Sequence, residues 1–452
     1  MLSLFRAGWL VLSASIVHAS LQIVPGATLT ATNTGTHMQA HGAGVIVENG
    51  VYYIIGEDHT NGSAFQNINC YSSTDLVSWT YVGALLSQTT TAGDLGPNRV
   101  VERPKVIYNS STKKYVLWMH IDDSSYAEAK VGVATGDTVC GKYSYLGSWQ
   151  PLGYQSRDIG LFQDDDGSAY LLTEDRVNGL RIDSLTADYL NVSSATALLA
   201  DYEAPAIVKR NGYYFLFASH LTGWDANDNE YVYATNLSGP WSSWTTFATV
   251  GSDTYESQTN YILPVSSDLI MYMGDRWVST DLAASTYVWL PLTFSGTTTV
   301  TIANEVNWIP NVATGGNWTT GPSETWPEGE SATLTDGATV VSCSGCSGSE
   351  AAGYIGGPSG GTVTFSNVQS GASTKTTIRL KYENGDGTSR FANVSCNGVE
   401  QNIAFLPTTN GYTPGSSVVT CALTSGTANT IVITQTDGTY GPDIDRIMVP
   451  LS

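Results

Sequence analysis

One pattern of apolar and polar positions recurs along most of the chain: an apolar β-branched run, a turn of Asn, Gly, Asp or Lys, then an aromatic run. It spans Gly44–Glu57 (GVIVENGVYYIIGE), Lys105–His120, Ile159–Glu174, Ala206–His220 and, more loosely, Tyr261–Asp275. The turn chemistry predicts a β-hairpin at each. Several hairpins lead into a further strand that ends on a polar turn, as in Cys70–Trp79 and Tyr233–Trp241, giving four strands per unit. Five such units in series, spaced about 45 to 60 residues apart, predict a five-bladed β-propeller over residues 20–312. A large β-sandwich also shows regular hairpins. The serial repeats, with inner strands that alternate apolar and polar, favour the propeller.

The pattern breaks near Asn311, where Gly, Thr, Ser and Pro crowd into ATGGNWTTGPSETWPEG, so residues 313–326 read as a linker or domain seam. Beyond it, short Val, Ile and Thr runs (Gly361–Val368, Thr376–Asn384, Thr430–Thr436) predict an independent β-sandwich of jelly-roll type over residues 327–452. At the other end, Arg6, the apolar run Ala7–Val17 and the small-residue site Val17-His18-Ala19 read as a secretory signal peptide over residues 1–19. That run is too short for a membrane anchor, and no later segment is apolar enough to span a bilayer. The mature chain is expected to be soluble, secreted and extracellular, with no membrane partner.

Charge narrows the partners. With 19 Lys and Arg against 40 Asp and Glu the formal charge is −21, which argues against nucleic acid and other phosphate-bearing partners. Charged residues are only 13% of a chain that holds 46 Gly, 25 Tyr and 12 Trp, as in a β-rich secreted protein. In an oxidising compartment cysteines form disulfides. Cys343 and Cys346 have the spacing of a zinc or redox pair, but no second pair or nearby His completes a metal site, so a local disulfide is expected. Cys396 and Cys421 then pair with each other, and Cys70 and Cys140 are left open. Sequons at Asn61, Asn109, Asn191, Asn236, Asn317 and Asn393 fit a glycoprotein.

A propeller gathers the first strands of its blades around a central channel, so polar residues there converge although distant in sequence. His41 and Glu57 bracket the first unit, and Glu102 opens the second in VERPK. Asp158 opens the third in SRDIG, Glu203 the fourth in YEAPA and Gln258 the fifth in SQTNYILP. Carboxyls at a common depth, with Trp and Tyr nearby, are what glycoside hydrolysis requires: one must stay protonated near neutral pH, and like-charge crowding raises its pKa.

QAHGAGVIVENGVYYIIGED, VERPKVIYN, SRDIGLFQDDDGSAYL, YEAPAIVKRNGYYFLFASHLTGW and YESQTNYILPV together resemble glycoside hydrolase family 43, most of all its fungal exo-β-1,3-galactanase branch, over about residues 25 to 310. The resemblance implies a five-bladed propeller and an inverting mechanism. It implies that Glu203 is the general acid and that Glu102 orients and tunes it. Most of the family opens its first blade with an Asp that activates water, whereas this strand reads Gln39-Ala40-His41-Gly42, with no acid. In the branch that shares this loss the Gln of the SQ(T/S) motif, here Gln258, positions or activates water, as an amide or as its imidic-acid tautomer. Glu57, Tyr126, Asp158 and Thr222 are implied to hydrogen-bond the terminal galactose. Trp224 is added because apolar sugar faces stack on aromatic rings.

The C-terminal part, from PEGESATL through CSGCSG, AAGYIGG, IRLKYENGDGTSR, VSCNGV and PDIDRIMV, resembles carbohydrate-binding module family 35. Glu328, Glu330 and Asp445 match that family's calcium-binding acids, so a structural calcium is expected, with no cofactor for catalysis. Tyr354, Asp386, Arg390, Tyr440 and Asp443 fall in the segments that form its sugar site. Taken together, a monomeric exo-β-1,3-galactanase acting on galactan or arabinogalactan is expected. An arabinofuranosidase or xylosidase of the same family and a catalytically inactive, lectin-like protein are the alternatives.

Overall fold

A computed structural model describes residues 21–371, 375–409 and 414–451. The expected signal peptide lies outside the described residues. Each repeat forms one antiparallel sheet of four strands in sequence order. The first holds β1 (His41–Glu48), β2 (Val51–Glu57), β3 (Asn67–Ser73) and β4 (Thr80–Ser87). The second holds β5 (Arg99–Asn109), β6 (Lys114–Asp123), β7 (Lys130–Gly136) and β8 (Ser144–Trp149). The third holds β9 (Ile159–Gln163), β10 (Ala169–Asp175), β11 (Gly179–Leu185) and β12 (Val192–Leu198). The fourth holds β13 (Glu203–Arg210), β14 (Tyr213–Ser219), β15 (Glu230–Ala234) and β16 (Thr245–Thr246). The fifth holds β17 (Gln258–Pro264), β18 (Ile270–Arg276), β19 (Thr286–Ser295) and β20 (Thr299–Ile302).

Turn chemistry sets the hairpins. Asn49 and Gly50 join β1 to β2, and Asn211 and Gly212 join β13 to β14, all four with positive φ as a two-residue type I′ loop requires. The first strands are buried almost throughout, whereas β4, β8 and β12 are mostly half-buried or exposed. First strands touch in cyclic order: β1 to β5, β5 to β9, β9 to β13, β13 to β17, and β17 back to β1. Apolar clusters fill the spaces between neighbouring sheets. Ile55, Ile68 and Leu85 meet Leu117 and Met119 between the first and second, and Phe215 and Phe217 meet Tyr272 and Leu290 between the fourth and fifth. Between the fifth and first sheets Trp79, Trp289 and Trp308 pack with Ile23, Ala31 and Met38 of the N-terminal segment. Cys70 and Cys140, left open by the sequence, are bonded and tie β3 to the turn after β7.

The C-terminal part is two antiparallel sheets around one core. One sheet includes Asp443–Pro450, Lys375–Glu383 and Gly415–Ala422, the other Thr362–Ser370, Gly426–Thr434 and Arg390–Cys396. Ile378, Leu380 and Ile447 from the first pack against Phe365, Val394 and Ile433 from the second. Cys343–Cys346 and Cys396–Cys421 are both formed.

The segment read as a linker is paired on both sides. Thr319–Thr320 bonds to Trp308–Ile309, and Glu324–Thr325 bonds to Val449 and Pro450. The N-terminal segment also reaches the C-terminal part, where the Thr28 N–H donates to Ser416 O at 2.7 Å and the Ala404 N–H to Thr30 Oγ1 at 3.1 Å. Of the sequons, Asn109 is 1% exposed and donates Nδ2 to Ala187 O, which leaves no room for a glycan there.

Candidate active site

The five sheets place one polar residue each at or near the head of the first strand: His41, Glu203 and Gln258 open theirs, Asp158 immediately precedes β9, and Glu102 follows Arg99, Val100 and Val101 in β5. Opposite them, near the ends of the second strands, stand Glu57, His120, Glu174, Ser219 and Asp275. Three heads are followed by a residue with positive φ and a shift in register, at Gly42 (φ 54°), Arg103 (φ 54°) and Ala204 (φ 57°). Such a bulge re-aims side chains, which lets the consecutive Glu102 and Arg103 both reach one cavity.

That cavity has a volume of about 200 Å³. Glu57, Glu102, Tyr126, Asp158, Glu203, Trp224 and Gln258, all expected from the sequence, line it. Glu203 is 4% exposed. Its Oε1 receives the N–H groups of Thr222 and Gly223, each at 3.1 Å, and Gln258 Nε2 at 3.0 Å. Its Oε2 lies 3.6 Å from the Arg176 guanidinium. Burial, then the charges of Asp158 and Glu174, push Glu203 up to about 8, against the pull of Arg103 and the Thr222 N–H. Glu174 is itself pushed up to about 7, by burial and by Asp158, against Arg176.

The carboxylates that bear most on Glu203 are Asp158 and Glu174. Glu102, expected in that role, accepts from Tyr126 Oη at 2.7 Å and meets His120 Nδ1 at 3.2 Å. Burial would raise Glu102, but these two partners hold it below its ordinary value. Burial likewise opposes charge on His120, yet its bonds to Asp122 and Glu102 raise it to about 9, so the pair is ionic. Asp158 Oδ2 pairs with Arg103 Nε at 3.0 Å and accepts the Ala204 N–H at 3.0 Å, tying the third sheet to the second and fourth.

Gln258 is held as an ordinary amide. Its Oε1 accepts from Arg103 and from Trp277 Nε1 (2.9 Å), while Nε2 donates to Glu203 Oε1 and to Ser219 Oγ at 3.1 Å. The flipped amide would face two N–H donors with its own N–H groups. The imidic-acid form would put a hydroxyl proton where those two donors already point.

His41 is fully buried, bonded to Asp275 Oδ1 at 3.1 Å and stacked on Tyr287 with ring centroids 4.7 Å apart, away from the cavity. The space beside it is filled from the next strand: a Cβ on Gly42 would lie 2.1 Å from Glu57 Oε1. Glu57 Oε2 is 3.5 Å from His59 Nε2, and despite burial this neighbour raises His59 to about 9. Trp224 meets Trp277 edge-on, with ring centroids 4.7 Å apart. Thr222 is exposed and not on the cavity wall. Its hydroxyl stays within its own loop, accepting from Asn227 Nδ2 at 2.7 Å, and it serves the site through its backbone N–H.

Sequence reasoning missed Arg103, His120, Arg157, Glu174, Arg176, Gly223 and Trp277, which also line the cavity. A signal was available for two of them: His120 and Glu174 close the aromatic runs of their hairpins, as Glu57 does.

In the C-terminal part, Ser347 gathers two of the three expected calcium ligands, donating Oγ to Glu328 Oε1 and N–H to Asp445 Oδ1, each at 3.0 Å. Glu328 Oε2 and Glu330 Oε2 are buried with no hydrogen-bond partner. Burial raises Glu328 and Asp445, and each of Asp445 and Glu330 raises Glu328 further. The unpartnered oxygens of Glu328 and Glu330 are donors of the type a hard cation takes, while Asp445 Oδ2 pairs with Arg446 Nη1 at 2.9 Å. The expected sugar-site residues also come together. Tyr354 and Tyr440, both exposed, meet edge-on at 6.0 Å, and Arg390 links Asp386 (2.7 Å) to Gly441 O (3.0 Å). Asp443 is raised by burial, against Arg390, and accepts the Tyr354 N–H.

Comparison with known proteins places this site. The model of Glycosyl hydrolases family 43 matches residues 39–311. The exo-β-1,3-galactanase of Phanerochaete chrysosporium, solved with galactose, is 40% identical, with 94% of this chain and 99% of that chain covered and a TM-score of 0.67. An exo-β-1,3-galactanase from Clostridium thermocellum is 26% identical, with 95% and 100% covered and a TM-score of 0.61. A xylan 1,3-β-xylosidase from Vibrio sp is 24% identical over 188 residues, 36% of this chain and only 34% of that relative's length. The family match spans more than half of the chain and holds every residue of the cavity, and the chain belongs to glycoside hydrolase family 43.

Proposed function

We propose that the protein is a secreted exo-β-1,3-galactanase that removes terminal galactose from galactan or arabinogalactan main chains with inversion. The observation that carries the reading is Glu203. A buried carboxyl with three N–H donors on Oε1 has only Oε2 on which to keep a proton, and Oε2 is the oxygen left for a leaving group. Glu203 then acts as general acid, protonating the glycosidic oxygen while water attacks the anomeric carbon from the opposite face. Asp158 and Glu174 keep the proton in place by repulsion. Gln258 fixes Glu203 Oε1 through its Nε2 at 3.0 Å. Glu57, Glu102, Tyr126 and Asp158 offer oxygens to the sugar hydroxyls, and Trp224 offers an aromatic face. A cavity of about 200 Å³ suits one terminal pyranose and not a chain passing through, which is why an exo mode is assigned. Galactose is favoured as that sugar by the likeness to the Phanerochaete chrysosporium enzyme over nearly the whole chain.

On this reading residues 20–312 form a five-bladed propeller, residues 313–326 its seam, and residues 327–452 a family 35 carbohydrate-binding module that keeps a monomeric enzyme on its polymer. Glu328, Glu330 and Asp445 would hold calcium, which supplies charge neutralisation at the module's last strand and no catalytic step. Chelation is then expected to lower the melting temperature and leave kcat on a short oligosaccharide unchanged; an unchanged melting temperature would remove the calcium.

The test of the activity is incubation with linear β-1,3-galactan, following the anomer of released galactose by proton NMR, with Glu203→Gln alongside. α-Galactose released first by the native enzyme, and none by the variant, supports the reading. β-Galactose first, or release by Glu203→Gln, overturns it. The Vibrio relative favours a xylosidase as second reading. Xylose from xylan with no galactose from galactan would establish that one instead.

A further inference from the structure

Arg157 lies in the segment ahead of β9, directly before Asp158, and lines the cavity with a side chain 13% exposed. Its Nε is buried with no hydrogen-bond partner. Its Nη1 faces Asp122 Oδ2 across 3.6 Å, too far for a hydrogen bond. Nor does Asp122 need it. Asp122 Oδ1 accepts the N–H groups of Asp123 and Glu128 at 3.0 and 2.8 Å. Its Oδ2 accepts the Ala129 N–H at 3.1 Å and pairs with His120 Nε2 at 2.9 Å. A carboxylate has about four acceptor sites, so these bonds fill it. A mostly buried guanidinium is thus held at the cavity without a hydrogen bond to Asp122, and a donor left unbonded out of water is costly until an acceptor arrives.

The other two arginines of the wall are engaged. Arg103 bonds Gln258 and Thr259 O and pairs with Asp158, and Arg176 bonds Glu174. Tyr126 Oη, Trp277 Nε1 and Gln258 Nε2 donate to Glu102, Gln258 and Glu203 in turn. Acceptors, by contrast, are in surplus, and Glu57 Oε2 is buried with no hydrogen-bond partner. A sugar hydroxyl donates one proton and also accepts, whereas an ionised carboxylate only accepts. A hydroxyl that donates to a carboxylate of this wall therefore still needs an N–H for its own oxygen.

We propose that Arg157 is a substrate-binding residue whose guanidinium donates to a hydroxyl of the terminal galactose, the proton of that hydroxyl going to a carboxylate of the wall. Because Arg157 reaches towards Asp122 of β6, it meets the sugar on the side where the second and third sheets adjoin. This deepens the reading that the cavity takes that galactose, and rests on it.

The test measures dissociation constants for galactose and for its 2-, 3-, 4- and 6-deoxy derivatives on the native enzyme, Arg157→Met and Arg157→Lys. Trp224 and Trp277 line the cavity, so tryptophan fluorescence follows occupancy. Arg157→Met is expected to weaken galactose roughly tenfold or more, as for loss of a charge-assisted hydrogen bond. One deoxy sugar should bind the native enzyme more weakly by a similar factor and lose nothing further in Arg157→Met, while the other three lose as much as galactose does. Arg157→Lys, which keeps a charged donor, should recover part of the affinity, and it carries the same comparison if Arg157→Met does not fold. Equal weakening of all five sugars would mean that Arg157 only supports the wall, and unchanged affinity that it does not reach the sugar. Either result overturns the proposal, while release of galactose from β-1,3-galactan leaves the galactanase reading standing. A native enzyme that neither binds nor releases galactose would remove that reading and the role of Arg157 with it.

Discussion

At Glu203 a single carboxyl has two different oxygens, one saturated by N–H donors and one left for a proton, and this asymmetry has a cost in stability. The group goes from 4.5 in the unfolded chain to about 8 in the fold, because burial and then Asp158 disfavour its charge. A raised acid pKa means that the folded state holds the proton over a range where the unfolded state has lost it. Its contribution to stability is therefore full below about 4.5 and lost as pH rises through about 8. Glu203→Gln, which cannot ionise, is expected to melt several degrees above the native enzyme at pH 8.5 and level with it at pH 4. Equal melting temperatures at both values would mean that the carboxyl is not strained. Gln258 gives a second test at this scale. Gln258→Glu keeps an acceptor for Arg103 and Trp277 but loses the N–H to Glu203 Oε1 and sets a second negative charge beside it. A fall in kcat of about 10²-fold is expected, as for loss of acid–base assistance. Undiminished activity with the stronger base would show that Gln258 acts on water directly.

The bulged strand head is the element that turns a repeated hairpin into a site, and β1 shows what its geometry allows. Gly42 has φ 54°, and a Cβ there would stand 2.1 Å from Glu57 Oε1, so the carboxylate of β2 occupies space that β1 leaves empty. Gly42→Ala should displace Glu57, raise KM about tenfold or more, and cost about 1 kcal/mol for the left-handed backbone. Unchanged kinetics with that same loss of stability would show that Glu57 does not touch substrate. Much of this level was legible in the sequence, because a hairpin is local: Asn49-Gly50 dictates the turn, and alternation dictates which side chains face inward. The heads of the strands were legible for the same reason, each lying just before an apolar run. Their partners were not weighed, since Glu174 meets Asp158 only through pairing of β9 with β10, and Arg176 reaches Glu203 from another sheet. The tuning of Glu203 was placed on Glu102 by the family resemblance, and in the fold Glu102 faces His120. His41 was read as a channel residue, but Asp275 and Tyr287 draw it off the cavity.

Between the two halves of the molecule the sequence offered only a change of composition, read as a linker or domain seam. Nothing local in Thr28 announces its bond to Ser416, nor in Glu324 its place beside the last strand. The resulting seam is more than a surface contact. Arg379 bonds Glu324 through Nε at 3.0 Å and through Nη2, with both side chains close to 5% exposed. Glu324 also accepts from Asn307, which in turn bonds Gln22, so one carboxylate joins the C-terminal sheet to the end of the hydrolase part and to the N-terminal segment. Removing one partner of a buried pair leaves the other charged and unanswered, at roughly 3 kcal/mol or more. Arg379→Ala should therefore lower stability by about that amount. Because the orphaned carboxylate lies in the seam, the loss should appear in the unfolding of the whole chain. Arg379→Ala combined with Glu324→Gln removes the stranded charge and should recover most of the loss. Calorimetry separates the alternatives. One endotherm that shifts as a unit means that the hydrolase part and the C-terminal part unfold cooperatively, so the exposed Tyr354 and Tyr440 are held at a fixed place relative to the catalytic cavity. Two endotherms, with only one displaced by Arg379→Ala, would mean that the halves unfold independently.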